Sequence, residues 1–111
     1  TDIYQDVFAP EILKYIEEEY KDATLEELAG EMNVALSTAS KIVKKSTGMT
    51  FKELLQRKRL MQAANLLEHT KLPITEIIER VGYDNTSYFH RIFRETYQMS
   101  PKEYRDWKIR T

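Results

Sequence analysis

The chain has no cysteine, which removes disulfide frameworks, thiolate zinc sites and cysteine nucleophiles in one step. Three glycines and three prolines in 111 residues leave little turn material for a fold of many short strands. No apolar run approaches the roughly 20 residues that span a bilayer, and no leading basic-then-apolar stretch resembles a secretory signal. The two histidines, His69 and His90, have no third ligand at metal spacing, so no metal site is expected. A glycine-rich phosphate loop is missing as well. The run Glu17-Glu18-Glu19 points its carboxylates around a helix instead of toward one another and reads as a solvated face. These absences argue against an enzyme, a cofactor and a membrane span.

What is present is an ordinary helical composition, 41% hydrophobic and 32% charged, suited to one small domain or two very small subdomains. The first residue is Thr1 and not Met, as expected of a piece of a longer chain. The net charge is −1, which by itself does not suggest a polyanionic partner, but its distribution is uneven. Residues 1–35 hold ten acids and two bases, a balance of −8, and residues 36–111 hold eight acids and fifteen bases, a balance of +7. Asymmetry of this kind points to a polyanion better than the total does.

Hydrophobic periodicity predicts helices only. Residues 1–8 read as a tail or a linker from a preceding domain. Pro10 fits a first helical position, and Ile12, Leu13, Ile16 and Tyr20 then follow at helical spacing to about residue 22. Thr24-Leu25-Glu26-Glu27 is a capping-box signature opening a second helix, with Leu25, Leu28, Ala29 and Met32 on one face. Asn33-Val34 is the turn to a third helix over about 36–46, with Ala39, Ile42 and Val43 inward and Gly48 past its end. Thr50-Phe51-Lys52-Glu53 is a second capping box and starts the longest helix, about 51–69, which Leu72-Pro73 ends. A helix with Ile74, Ile77, Ile78 and Val81 follows, then a turn over Gly82-Tyr83-Asp84-Asn85 in which Asp84 is placed to cap a helix or to orient a nearby arginine. A helix over about 86–96 turns Phe89, Ile92 and Phe93 inward. Ser100-Pro101-Lys102-Glu103 is a third capping box, opening a last helix in which Trp107 is expected to pack.

The second half repeats the first. Ser37/Ser87, Ile42/Ile92, Met49/Met99, Lys52/Lys102 and Glu53/Glu103 are identical pairs 50 residues apart. Lys41/Arg91, Lys44/Arg94, Ser46/Thr96 and Thr50/Ser100 are conservative pairs at the same spacing, and upstream of the turns the spacing is 49. Two copies are too few for a solenoid, which takes at least about three repeats. A duplicated helix-turn-helix unit joined by a long helix accounts for the pattern. In such a unit the second helix lies in the major groove of DNA and offers a polar or basic outer face. Ser37, Thr38, Ser40 and Lys41 in one copy, and Thr86, Ser87, His90 and Arg91 in the other, meet that requirement and include no acid. Any exposed helix is polar, but the same acid-free face arising twice favours the DNA reading. Arg91 is the strongest candidate for direct readout, because arginine suits the O6/N7 edge of guanine.

Residues Leu28-Ala29, Thr47-Gly48-Met49-Thr50-Phe51, Arg59-Leu60, Ala63, Leu66-Leu67, Gly82-Tyr83-Asp84, Ser87-Tyr88-Phe89, Arg91, Phe93-Arg94 and Ser100-Pro101 through Tyr104-Arg105 together resemble the AraC/XylS family of bacterial transcription regulators. The resemblance covers about residues 10–106. It implies an all-α, homeodomain-like fold of about seven helices: a first helix-turn-helix subdomain over 9–50, a linker helix over 51–70 and a second subdomain over 71–111. It implies that Ser37, Ser40, Lys41, Thr86, Ser87, His90 and Arg91 face bases, and that Thr38, Lys44, Lys45 and Arg94 contact phosphate. It also implies double-stranded DNA and RNA polymerase as partners, a sensing or dimerisation domain N-terminal to this one, and a cytoplasmic location. Arg59 falls at a family position in mid-linker and reads as structural.

Some positions depart from the family pattern. Ala35 stands where a serine usually caps the first recognition helix, and Ala39 and Val43 replace a larger leucine and phenylalanine. Ile78 replaces a usual alanine, and Gln98 stands where glycine ends the helix in the first copy. A linker of about 19 residues spans close to 28 Å at 1.5 Å per residue, against roughly 34 Å between successive major-groove exposures on one face of DNA. Recognition helices at its two ends would suit one bipartite, non-palindromic site. The alternative is a helical module that docks other proteins, favoured by the near-neutral total and the acidic first 35 residues.

Overall fold

The computed structural model describes residues 7–110, so residues 1–6 of the expected tail lie outside the described residues. Among the described residues there are seven helices and no strand: α1 Ala9–Glu19, α2 Leu25–Met32, α3 Leu36–Thr47, α4 Phe51–His69, α5 Ile74–Arg80, α6 Thr86–Tyr97 and α7 Pro101–Arg110. The chain divides into two compact units, 1–58 and 59–111, so the boundary falls inside α4.

In the first unit α1 buries Ile12, Tyr15 and Ile16. The expected stripe through Leu13 and Tyr20 is corrected: Leu13 is 49% exposed and Tyr20 is only partly buried. The helix also ends at Glu19, with a turn over residues 20–22. Apolar residues crowd both flanks of the Ile12–Ile16 line, and the hydroxyl of Tyr15 decides between them. It accepts the backbone N–H of Thr24 at 3.0 Å and donates to Glu27 Oε1 at 2.7 Å. In a direct capping box the carboxylate takes the cap N–H itself, as Glu53 does with Thr50 at 2.8 Å and Glu103 with Ser100 at 2.7 Å. The α2 box instead runs through Tyr15, which ties α1 to the start of α2. Thr24 still receives the Glu27 N–H on its hydroxyl. Glu17 is not merely solvated, since it pairs with Lys58 Nζ at 2.7 Å.

The second unit is built on aromatic rings. Phe93 lies between Phe89, Tyr97 and Tyr104 at centroid distances of 5.7, 4.6 and 5.7 Å, and Ile77, Ile78 and Val81 of the same unit are buried with it. Arg105 Nε donates to the Leu67 carbonyl at 3.1 Å and Tyr97 Oη to that of Leu60 at 3.4 Å, which fixes α6 and α7 on the end of α4. Trp107 meets Tyr104 edge-on at 5.8 Å yet stays 47% exposed, so it packs on one side only. Within α4, Phe51, Leu54, Leu55 and Lys58 form one buried or part-buried stripe, and Leu60, Ala63, Ala64 and Leu67 another. Each keeps helical spacing, but the first would continue through Met61, which is 53% exposed.

Candidate nucleic-acid interface

In each unit a short helix, a turn and a 12-residue helix end in a left-handed residue and a capped helix start. The first turn closes on Asn33 (φ +58°), whose N–H reaches the carbonyls of Ala29 and Gly30. Then α3 begins at Ala35, which has the extended conformation of an N-cap but no side chain to cap with. The helix buries Ala39, Ile42, Val43 and Ser46 and exposes Ser37, Thr38, Ser40, Lys41, Lys44 and Lys45. Ser37, Ser40, Lys41 and Lys44 follow one another at helical i, i+3, i+4, i+7 spacing, a single outward strip, with Thr38 and Lys45 on its flank. Gly48 ends the helix at φ +79°, and a Cβ there would meet nothing within 4 Å, so the backbone angle alone accounts for the glycine. Lys44 Nζ donates to the Gly48 carbonyl at 3.2 Å.

The second unit repeats this with different cap chemistry. Asn85, and not Asp84, is the cap of α6: its side chain accepts the Tyr88 N–H at 2.9 Å. Either Asx residue has the right chemistry; the turn places the second at the extended cap position. Gln98 takes the left-handed angle (φ +64°) that Gly48 takes in the first copy, and its N–H closes on the Arg94 carbonyl at 2.8 Å. Thr86, Ser87, His90, Arg91 and Arg94 are exposed on α6. His90 Nδ1 lies 2.8 Å from the Thr86 carbonyl. A carbonyl only accepts, so this contact is a hydrogen bond in the form of the ring that carries a proton on Nδ1. Arg91 is held from two sides, by Glu95 at 3.4 Å and by the Tyr88 ring 5.2 Å from its guanidinium.

Sequence reasoning missed Tyr88 and Glu95 as neighbours of Arg91. The signal was available in their i−3 and i+4 spacing, and Glu95 places an acid on a helix whose base-facing set has none. Arg94 approaches Glu103 at 3.6 Å. Both box carboxyls, Glu53 and Glu103, are held below the ordinary glutamate range, chiefly by the backbone N–H of Thr50 and Ser100, then by those hydroxyls and by the nearby Lys44 and Arg94. Arg59 stacks on Tyr83 at 5.1 Å within the second unit, in keeping with a structural role. Burial raises the Tyr83 hydroxyl, and Arg59 offsets part of that.

A duplicated helix-turn-helix is thus laid out residue by residue, and comparison with known proteins agrees. A helix-turn-helix domain family matches residues 28–106. The chain belongs to the AraC-type helix-turn-helix family. Its AraC-type relatives include the regulatory protein PocR of Salmonella typhimurium, 36% identical over 84% of this chain and 31% of that protein. The transcriptional activator RhaS of Klebsiella pneumoniae is 31% identical over 86% of this chain and 34% of that protein. Among AraC-type structures, the C-terminal domain of AraT, a response regulator from Geobacillus stearothermophilus, superposes with a TM-score of 0.83. That match has 38% identity and covers 92% of this chain and 86% of that one. The chain spans about a third of the length of the two regulators. No helix among the described residues is long and apolar enough to cross a membrane.

Proposed function

We propose that this chain is the sequence-specific DNA-binding domain of a bacterial transcription regulator. It sets α3 and α6 into successive major grooves of a bipartite site. The observation that carries this reading is the pair of 12-residue helices, each with an exposed strip of hydroxyl and cationic side chains around a buried apolar face. Ser37, Ser40, Lys41, Thr86, Ser87, His90 and Arg91 face bases, with Arg91 on a guanine, while Thr38, Lys44, Lys45 and Arg94 hold phosphate. The domain acts by binding and not by catalysis. Its further partners are RNA polymerase and a sensing or dimerisation domain in the same polypeptide, in the cytoplasm.

Selection of duplexes from a random library with the 111-residue chain at moderate salt tests this. Two short enriched blocks about one helical turn apart are the expected result. One block alone would leave a single reading head. No enrichment, with no binding even at low salt, would refute the DNA reading and favour a protein-docking module.

A further inference from the structure

The repeat aligns one residue with the base-facing set that its own chemistry sets apart. Leu36 and Thr86 are each the first residue of a 12-residue recognition helix and are 50 positions apart, the spacing that pairs Ser37 with Ser87 and Lys41 with Arg91. In a helix-turn-helix the N-terminal residues of the second helix come closest to the base edges. Leu36 is 46% exposed, a branched apolar side chain at the head of a strip otherwise made of Ser37, Ser40 and Lys41. The hydroxyls of that strip discriminate weakly alone. The major-groove edge offers an apolar group on one base only, the C5-methyl of thymine.

We infer that Leu36 is a specificity-determining residue of the first reading head and that it packs on a thymine methyl, as the counterpart of Thr86 in the second. This deepens the DNA-binding reading and rests on it. An apolar side chain at this position selects by shape and desolvation, so the first head requires a thymine where its hydrogen-bonding residues alone would tolerate several bases. The absence of a cap at Ala35 does not weaken this, because a methyl contact needs only the position of the leucine and no hydrogen-bond geometry.

The test uses the 111-residue chain and the duplex recovered by site selection, with each thymine replaced in turn by deoxyuridine, which removes only the methyl. One position in the block read by the first head should cost the wild-type chain about fourfold in Kd, the worth of one buried methylene-sized group. In Leu36→Ala that dependence should vanish at this position and persist at all others, and Leu36→Thr, which keeps a methyl, should retain part of it. Circular dichroism should show unchanged helix content, since Leu36 is the first residue of α3 and lies outside its buried face of Ala39, Ile42, Val43 and Ser46. Equal deoxyuridine penalties in wild type and Leu36→Ala at every thymine would overturn the assignment while leaving DNA binding intact. Failure to recover any enriched duplex would overturn the DNA reading and the assignment with it.

Discussion

Arg91 is held in the free protein by contacts weak enough to leave. Its ion pair with Glu95 is exposed on both sides, and such pairs are worth about 0.2–1 kcal/mol, less than the roughly 1–3 kcal/mol of a bidentate arginine–guanine contact. The guanidinium can therefore exchange the carboxylate for a base edge while Tyr88 keeps its plane. Arg91→Ala should cost about 1–3 kcal/mol of specific binding and relax selectivity at one base pair, measured as Kd on the selected duplex and on its single-base variants. Glu95→Gln should tighten binding by up to about fivefold, the upper worth of the pair it removes. The outward set was legible because the buried face of each helix, Ala39, Ile42 and Val43 or Phe89, Ile92 and Phe93, leaves only one side for the rest. The partners of Arg91, Tyr88 and Glu95, are legible from i−3 and i+4 spacing but not from polarity patterning, which records exposure and not which neighbours meet.

At the scale of elements, the boundaries that sequence marked best were those with a stop or a start written into side-chain chemistry: Thr24, Thr50, Ser100 and Gly48. It failed where two residues had equal local claims, as with Leu13 against Tyr15 and Asp84 against Asn85, and tertiary partners made the choice. Tyr15 shows the consequence. Its hydroxyl is pushed up to about 12, mainly by burial and then by its hydrogen bond to Glu27. A raised acid favours the neutral form in the folded state, so its stabilising share is complete below pH 10 and is lost as pH rises toward 12. Alkaline titration followed by circular dichroism should show helix loss across that window, with the Tyr15 component gone in Tyr15→Phe. That variant leaves the Thr24 N–H without its partner and should cost about 1–3 kcal/mol at neutral pH. Ala35 is the opposite case, a cap position with the right backbone and the wrong side chain. Ala35→Ser should stabilise the first unit by about 0.5–2 kcal/mol, read as a rise in the denaturant midpoint with unchanged slope.

For the whole molecule, net charge misleads and distribution decides. A net charge of −1 supplies no overall attraction to DNA, whereas residues 36–111, at +7, can attract it. On the proposed reading, affinity comes from cations set on the two recognition helices, whose phosphate contacts would release counterions locally. Lys44 and Arg94, proposed for this role at equivalent positions of the repeat, each act electrostatically on a box carboxyl, Glu53 or Glu103, that is already committed to a backbone N–H. Those carboxylates, held below the ordinary glutamate range, stay ionised at physiological pH, and Arg94 approaches Glu103 at 3.6 Å while Lys44 Nζ donates to the Gly48 carbonyl. Lys44→Gln should therefore weaken binding to every duplex alike and flatten the log–log dependence of Kd on salt by about 0.9, while the ratio of specific to nonspecific affinity holds. Arg91→Ala should do the reverse, cutting the ratio more than the slope. If both variants changed slope and ratio together, positioning and reading would not be divided between these two residues.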